Sequence, residues 1–145
     1  MPEYAGLAMI EQAVKFDAGC SNCERACEGW VVQIAEKGKL RWETELACNE
    51  CGIEHDGDWG PAPESIRQRL IAAHGASRVC VSDVVPGGKI LKTFRDIFAL
   101  SIQEAKRAAG DLTTGGWQGT KVETSLITEI LGSYDIEARE CPLRF

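Results

Sequence analysis

The 145-residue sequence lacks two features that would associate it with a membrane. It contains no apolar run of about 18 residues, the length that a membrane-spanning helix needs. Its N-terminal segment includes Glu3, Glu11 and Asp17 and has no basic start followed by an apolar stretch, so a secretory signal is not expected either. We therefore expect a cytoplasmic protein that does not interact with membranes.

Catalytic signatures are also scarce. The sequence has only two histidines, His55 and His74, and no G-x-S-x-G, H-E-x-x-H or P-loop pattern. Residues 115–119 are rich in glycine but lack the lysine of a phosphate-binding loop. These absences argue against serine hydrolases, zinc proteases and P-loop nucleotide hydrolases, and we predict that the protein is not an enzyme.

Charge is distributed unevenly along the chain. Residues 1–60 carry 12 acidic and 5 basic side chains, a net charge of −7, whereas residues 61–145 carry 10 acidic and 11 basic ones, a net charge of +1. The change falls at Gly60-Pro61-Ala62-Pro63, where two prolines stiffen the backbone. We predict two modules, an acidic one over residues 1–60 and a second over residues 61–145.

Cysteine is the most informative residue type. The chain has seven, an odd number that fits a disulfide framework poorly when no export signal is expected. Five of them crowd into one short segment: Cys20, Cys23, Cys27, Cys48 and Cys51. Such clustering favours metal binding in a reducing compartment.

Two C-x-x-C pairs carry this signal, the first ending at Cys23 and the second beginning at Cys48. Each pair can direct two thiolates at one ion, so Cys20, Cys23, Cys48 and Cys51 are the predicted ligands of a tetrahedral Zn²⁺ site. The strand-forming segments 30–36 and 40–46, with Lys37-Gly38-Lys39 as a turn, predict a β hairpin that brings the pairs together. Over residues 14–54 the pattern resembles a zinc ribbon.

Two other residues compete for a place in this site. Cys27 lies four residues after Cys23, and His55 lies four residues after Cys51, so either one could replace a cysteine ligand. The segment from His55 to Asp58 could also bind a second ion through oxygen, but a solvated acidic loop is the favoured interpretation.

The second module has the pattern of an α+β domain. Apolar spacing predicts a helix over residues 64–74, a strand over 78–85 and helices on either side of a short strand near residue 117. Capping boxes at Ser101–Glu104 and Thr120–Glu123 predict the starts of two helices, and a final strand is expected over about 135–140. The predicted order from residue 77 is β-α-α-β-α-β, with the helices on one face of a three-stranded sheet.

Residues 90–106, I-L-K-T-F-R-D-I-F-A-L-S-I-Q-E-A-K, resemble the helix–turn–helix of the bacterial ribosomal stalk protein's C-terminal domain. The L-x-L-x-E-A-K core of that family has its counterpart at residues 100–106, although Ala99 stands where the family usually has glycine, and the resemblance extends over about residues 77–140. In that family, basic residues of the first two helices contact the acidic surface of translation GTPases. Lys92, Arg95 and Lys106 occupy matching positions, so the resemblance implies a protein-binding face.

Four tryptophans are many for this length. We expect Trp30 and Trp42 to pack together in the core of the hairpin. Trp59 and Trp117 lie near the linker and in a loop, where exposed aromatic side chains could anchor a partner. Together with the three basic residues, they are the candidate partner-binding residues.

These features favour a non-catalytic protein-interaction module, an adaptor or an inhibitor such as a bacterial immunity protein, whose acidic face meets a basic partner, for example a toxin. The alternative is a zinc-ribbon factor that acts on nucleic acid or in translation. An enzyme would become plausible only if Cys27 or His55 replaced a ligand and left an open position on the metal.

Overall fold

A computed structural model describes residues 9–20, 22–81 and 87–142. Its first half is a four-stranded antiparallel sheet in which each strand pairs with the next along the chain. The strands are β1 (Ile10–Gly19), β2 (Ala26–Glu36), β3 (Lys39–Cys48) and β4 (Gly52–Trp59). The two middle strands are the predicted hairpin. Lys37 and Gly38 both have positive φ at its turn, 54° and 75°, as a two-residue hairpin connection requires.

A helix and an α+β unit follow. Helix α1 (Glu64–His74) has the bounds that the sequence predicts. The remaining elements are β5 (Ser77–Cys80), α2 (Gly87–Phe98), α3 (Ile102–Thr114), β6 (Trp117–Gly119), α4 (Lys121–Ser133) and β7 (Arg139–Glu140). β5 lies between β6 and β7 and pairs antiparallel with both. The predicted α+β class is confirmed, and no helix in the described part of the chain is long and apolar enough to cross a membrane.

Both predicted capping boxes are present. The Ser101 hydroxyl accepts a hydrogen bond from the Glu104 amide, and the Glu104 carboxylate accepts one from the Ser101 amide. Thr120 and Glu123 form the same reciprocal pair at the start of α4. Each box satisfies two backbone donors that a helix start otherwise leaves unpaired.

The largest apolar cluster is built mainly from α2, α3, α4 and β5. Large side chains that are fully buried in it include Phe94, Ile90, Leu112, Leu126, Ile127, Ile130, Leu131 and Val79. Ala35 and Leu40, from the turn end of the β2–β3 hairpin, belong to the same cluster. Apolar contacts therefore cross the predicted boundary at residue 60, and the division into modules 1–60 and 61–145 remains a prediction.

Helix α1 packs on the first sheet, on the face that we call the inner face. Ile66 and Leu70 bury against Val31 of β2, with Phe16 and Trp42 at the margin of the cluster. At the other end of the helix, the His74 ring nitrogen Nε2 lies 2.8 Å from the carbonyl oxygen of Ala13 in β1. These contacts place α1 over β1 and β2.

A buried polar network joins the first sheet to α1 and α4. The Arg67 guanidinium donates two hydrogen bonds to the fully buried Glu123 carboxylate, at 2.7 and 2.9 Å. Gln33, also fully buried, donates to the same carboxylate at 3.0 Å and accepts from the Thr120 hydroxyl. A buried carboxylate needs such partners, because an unpaired charge in the interior is strongly destabilising.

Some local predictions were wrong. Trp30 is 45% exposed and does not share a core with Trp42. Its cross-strand partner is Glu45, whereas that of Trp42 is Gln33, and strand alternation places the two tryptophans on opposite faces of the sheet. The expected acidic loop from His55 to Asp58 is part of strand β4.

Two strand boundaries also differ from expectation. The strand expected over residues 78–85 ends at Cys80, and residues 82–86 lie outside the described part of the chain. The last strand is only Arg139–Glu140. Upstream of it, Asp135 has a φ of 60°, which is incompatible with a strand starting there.

Candidate metal centre

The two C-x-x-C pairs meet at one end of the first sheet. Cys20 and Cys23 lie in the connection from β1 to β2, Cys48 is the last residue of β3, and Cys51 lies in the connection from β3 to β4. In an antiparallel meander these two connections fall at the same end, opposite the β2–β3 turn. Strand topology alone therefore brings together residues that are far apart in the sequence.

The four sulfur atoms lie within 4.8 Å of one another and could hold a metal ion. Cys23 Sγ and Cys48 Sγ, one from each pair, are 3.5 Å apart. A tetrahedral Zn²⁺ site with Zn–S bonds of about 2.3 Å has sulfur–sulfur edges of about 3.8 Å. The spacing of the sulfurs thus fits a four-thiolate site and needs only small adjustments.

Backbone amides prepare the first cysteine of each pair for metal binding. The Asn22 amide donates to Cys20 Sγ at 3.4 Å, and amides of Cys23 and Asn22 lower the pKa of the Cys20 thiol. The amides of Cys51 and Glu50 lower the pKa of Cys48 to about 6. Since the thiolate is the metal-binding form, these amides favour the form of Cys20 and Cys48 that binds an ion.

The second cysteine of the β3–β4 pair has the opposite tendency. Hydrogen bonds with the Cys23 and Cys20 side chains raise the pKa of the Cys51 thiol to about 12. Four sulfurs this close cannot all carry a negative charge without a counter-charge between them. A divalent cation bound between them would supply that counter-charge and would hold the coordinating sulfurs as thiolates.

The residue after each pair has a left-handed backbone. Gly52 follows Cys51 with a φ of 91°, a conformation that glycine adopts without steric cost. Glu24 follows Cys23 with a φ of 61°, an unfavourable value for a residue with a side chain. Backbone hydrogen bonds hold this turn: the Glu24 amide donates to the Cys20 carbonyl at 2.9 Å, and the Cys20 amide donates to the Arg25 carbonyl at 2.8 Å.

The site is partly sealed from solvent. Cys20 and Cys48 are buried, Cys23 is half-buried and Cys51 is exposed, while Leu46 packs against the cluster. An exposed ion pair of 3.1 Å between Arg25 and Glu50 links the two turns. Such an exposed pair adds little stability in water.

The two competing ligands lie outside the four-sulfur set. Cys27 is buried beside it on β2, donates to the Arg25 carbonyl at 3.5 Å, and has a pKa raised to about 12, chiefly by burial. His55 lies on β4, opposite Glu45 of β3. Among the described residues, the group that could hold a metal ion comprises Cys20, Cys23, Cys48 and Cys51 alone.

The candidate partner-binding residues are distributed over α2, α3, β4 and β6. Lys92 and Arg95 line one groove of about 630 Å³ on α2, and Lys106 is exposed on α3. Lys92 pairs with Asp96 at 2.7 Å, and Arg95 donates to the Leu100 carbonyl at 3.3 Å.

The two candidate tryptophans differ from each other in their surroundings. Trp59, 53% exposed, lies on β4 with the Arg41 guanidinium 5.8 Å from its ring. Trp117 is half-buried between Phe94 and Phe98, with ring centroids 5.7 and 5.1 Å away. Trp117 thus contributes to packing, and a partner-binding role for the five residues stays a prediction.

The Arg67–Glu123–Gln33 network was not predicted from the sequence. Gln33 was the available signal, because it is an amide at an inward position of a strand that is otherwise apolar on that face. The capping box accounts for a glutamate at position 123 whether or not that residue is buried. Arg67 lies among other charged residues of α1, so it does not stand out in the sequence.

Comparison of the chain with models of known protein families, with curated proteins and with solved structures gave no match.

Proposed function

We propose that the protein is a non-catalytic, zinc-binding protein-interaction module, an adaptor or an inhibitor. A bacterial immunity protein that neutralises a basic toxin is the specific form that we favour. The observation that carries the proposal is the convergence of four cysteine sulfurs within 4.8 Å at one end of the sheet.

Zinc is the metal that best suits these ligands. Four thiolates in a tetrahedral arrangement select zinc over the oxygen-preferring Mg²⁺ and Ca²⁺, and Cys₄ sites are typically structural. With all four positions taken by protein, such a site has no place for a substrate or a water molecule. The metal then serves to fold and stiffen the surface around it.

The acidic first half supports a basic partner. Every residue of β4 is exposed, and the strand carries Glu54, Asp56 and Asp58. The four thiolates and one divalent ion would add a further net charge of −2 at the end of the same sheet. A surface of one sign accelerates encounter with an oppositely charged partner and disfavours nucleic acid, whose phosphates need clustered cations.

The proposal also covers the fold of each half of the chain and the place in the cell where the protein acts. We propose that residues of about 14–54 form a zinc ribbon, that residues of about 77–140 form a domain resembling the stalk protein's C-terminal domain, and that the protein acts in the cytoplasm. The element order β5-α2-α3-β6-α4-β7 supports the second of these assignments.

Affinity capture from the organism that encodes the chain tests the function. Tagged protein is used as bait at low and at high salt, bound proteins are identified by mass spectrometry, and the best candidate is purified and titrated against the chain. We expect a basic protein that binds with defined stoichiometry and more weakly as salt rises. Salt-dependent binding of RNA or DNA, with no protein partner, would contradict the proposal and favour the nucleic-acid alternative.

A further inference from the structure

A groove runs along the part of the inner face that α1 leaves open. Helix α1 packs on β1 and β2, and beyond it the face continues over β3 and β4. Cross-strand pairing defines the rows of this face: Val31 lies opposite Thr44, which lies opposite Asp56. The next row ends with Leu46 opposite Glu54. The resulting groove has a volume of about 520 Å³.

The floor of the groove is apolar and aromatic. Trp42 and Leu46 are half-buried there, next to the Phe16 ring, which lies against Gly29. A Cβ atom at Gly29 would stand 2.4 Å from the Phe16 ring, so only glycine allows this arrangement. The floor therefore offers ring faces and aliphatic surface that an extended side chain could cover.

A guanidinium already lies on this floor. Arg69 of α1 places its guanidinium carbon 4.1 Å from the centroid of the Phe16 ring. Arginine is well suited to such stacking because its planar cation is weakly hydrated. The contact indicates the chemistry that the groove accepts: a flat cation with an apolar stem.

The outer wall of the groove is acidic. Glu54 and Asp56 line it, and Asp58 continues the same side of β4. Asp56 accepts a hydrogen bond from the Gly57 amide, and Asp58 accepts one from the Trp59 amide, both at 2.8 Å. These bonds hold the two carboxylates along the β4 side of the sheet.

We propose that this groove binds an arginine side chain from a basic segment of a protein partner. The aliphatic stem covers Trp42 and Leu46, and the guanidinium reaches the carboxylates of Glu54 and Asp56. Burial of the stem and charge-assisted hydrogen bonds at the head would both contribute to binding. The proposal rests on the proposed function and specifies its binding surface and the chemistry of the partner.

Titration with a hexa-arginine peptide, followed by ¹H–¹⁵N NMR of the zinc-loaded chain, tests the groove. We expect chemical-shift changes concentrated at Trp42, Thr44, Leu46 and residues 54–58. The variant Glu54→Gln/Asp56→Asn should bind about tenfold more weakly. The matched control Glu11→Gln/Asp17→Asn makes the same chemical change at two exposed positions on the outer face of β1, and it should bind like the wild type.

A gain of binding provides a second readout. Arg69→Gln removes a cation from the groove and uncovers the Phe16 ring, so it should strengthen hexa-arginine binding several-fold. Zinc content and amide dispersion verify that each variant is folded. Equal weakening by both double variants, or shift changes centred away from the groove, would overturn the proposal.

The experiment separates the groove from the proposed function. If an identified protein partner binds the Glu54→Gln/Asp56→Asn variant as tightly as the wild type, arginine binding in the groove is refuted, whereas the proposed protein-interaction function is retained. If hexa-arginine binds in the groove but the chain captures no protein at any salt concentration, arginine binding in the groove is supported and the proposed protein-interaction function is refuted.

Discussion

The cysteine end of the first sheet and the helical core use different means of holding distant segments together. In the core, large side chains such as Phe94, Leu126 and Ile130 are almost fully buried, and apolar burial stabilises the arrangement. At the cysteine end, the buried cluster consists of Cys20, Cys27 and Cys48, with Leu46 and Cys23 at its edge. So little apolar surface cannot offset the entropy of ordering two turns, and we infer that a metal ion supplies the difference.

Removal of one cysteine ligand is the change that should affect the cysteine end most strongly. Cys48→Ser should abolish stoichiometric zinc binding and disorder both turns, because structural zinc contributes roughly 10–16 kcal/mol in small zinc peptides. The metal content of the purified variant and its amide spectrum measure the effect. Cys27→Ala is the matched control, a buried thiol beside the site, and should retain one zinc ion per chain. Zinc loss in the control instead would place Cys27 among the ligands.

A cavity created in the helical core should lower the stability of the protein. Phe94→Ala removes a fully buried ring that contacts Phe98 and Trp117, and it should lower the free energy of unfolding by about 3–5 kcal/mol. Chemical denaturation followed by circular dichroism measures this change. Zinc binding should persist wherever the variant is folded. A loss below about 1 kcal/mol would show that the cluster is loosely packed.

The third prediction concerns the buried polar network, which joins the first sheet to helices α1 and α4. Arg67→Met leaves the Glu123 carboxylate buried without its guanidinium partner and should cost about 3 kcal/mol of unfolding free energy. The double variant Arg67→Met/Glu123→Gln removes the charge as well and should recover part of that loss. Denaturation midpoints of the wild type, both single variants and the double variant measure the coupling. Strictly additive losses would mean that the pair contributes no coupling of its own.

The smallest effects are expected from substitutions at the positive-φ residue that follows each C-x-x-C pair. Gly52→Ala forces a side chain into a left-handed backbone and should cost about 1–2 kcal/mol. Glu24→Gly relieves the equivalent position in the other turn and should stabilise the zinc-bound form slightly. Thermal unfolding of the zinc-loaded chains compares them. Gly19→Ala, at a glycine with open space around it and no positive φ, is the control and should be close to neutral.

Much of the fold could be predicted from the sequence. The bounds of α1, the β2–β3 hairpin and both capping boxes follow from local patterns, and local interactions determine them. The cysteine set followed from spacing, because two C-x-x-C pairs at the ends of a hairpin have few other ways to meet.

Features that depend on tertiary contacts could not be predicted. The exposure of Trp30 depends on strand register, which local composition does not specify. The burial of Glu123 depends on Arg67, which lies far away in the chain, on α1. The open groove depends on α1 covering two of four strands, which no local motif encodes.

Residue-resolved amide hydrogen exchange, measured on the zinc-loaded chain and again after chelation, tests the central claim most directly. We expect chelation to remove the protection of amides near the cysteine turns, at residues 22–28 and 46–54, while protection in α2, α3 and α4 remains. Unchanged protection at the cysteine end after the metal is removed would contradict the claim that a metal ion holds that end of the sheet together.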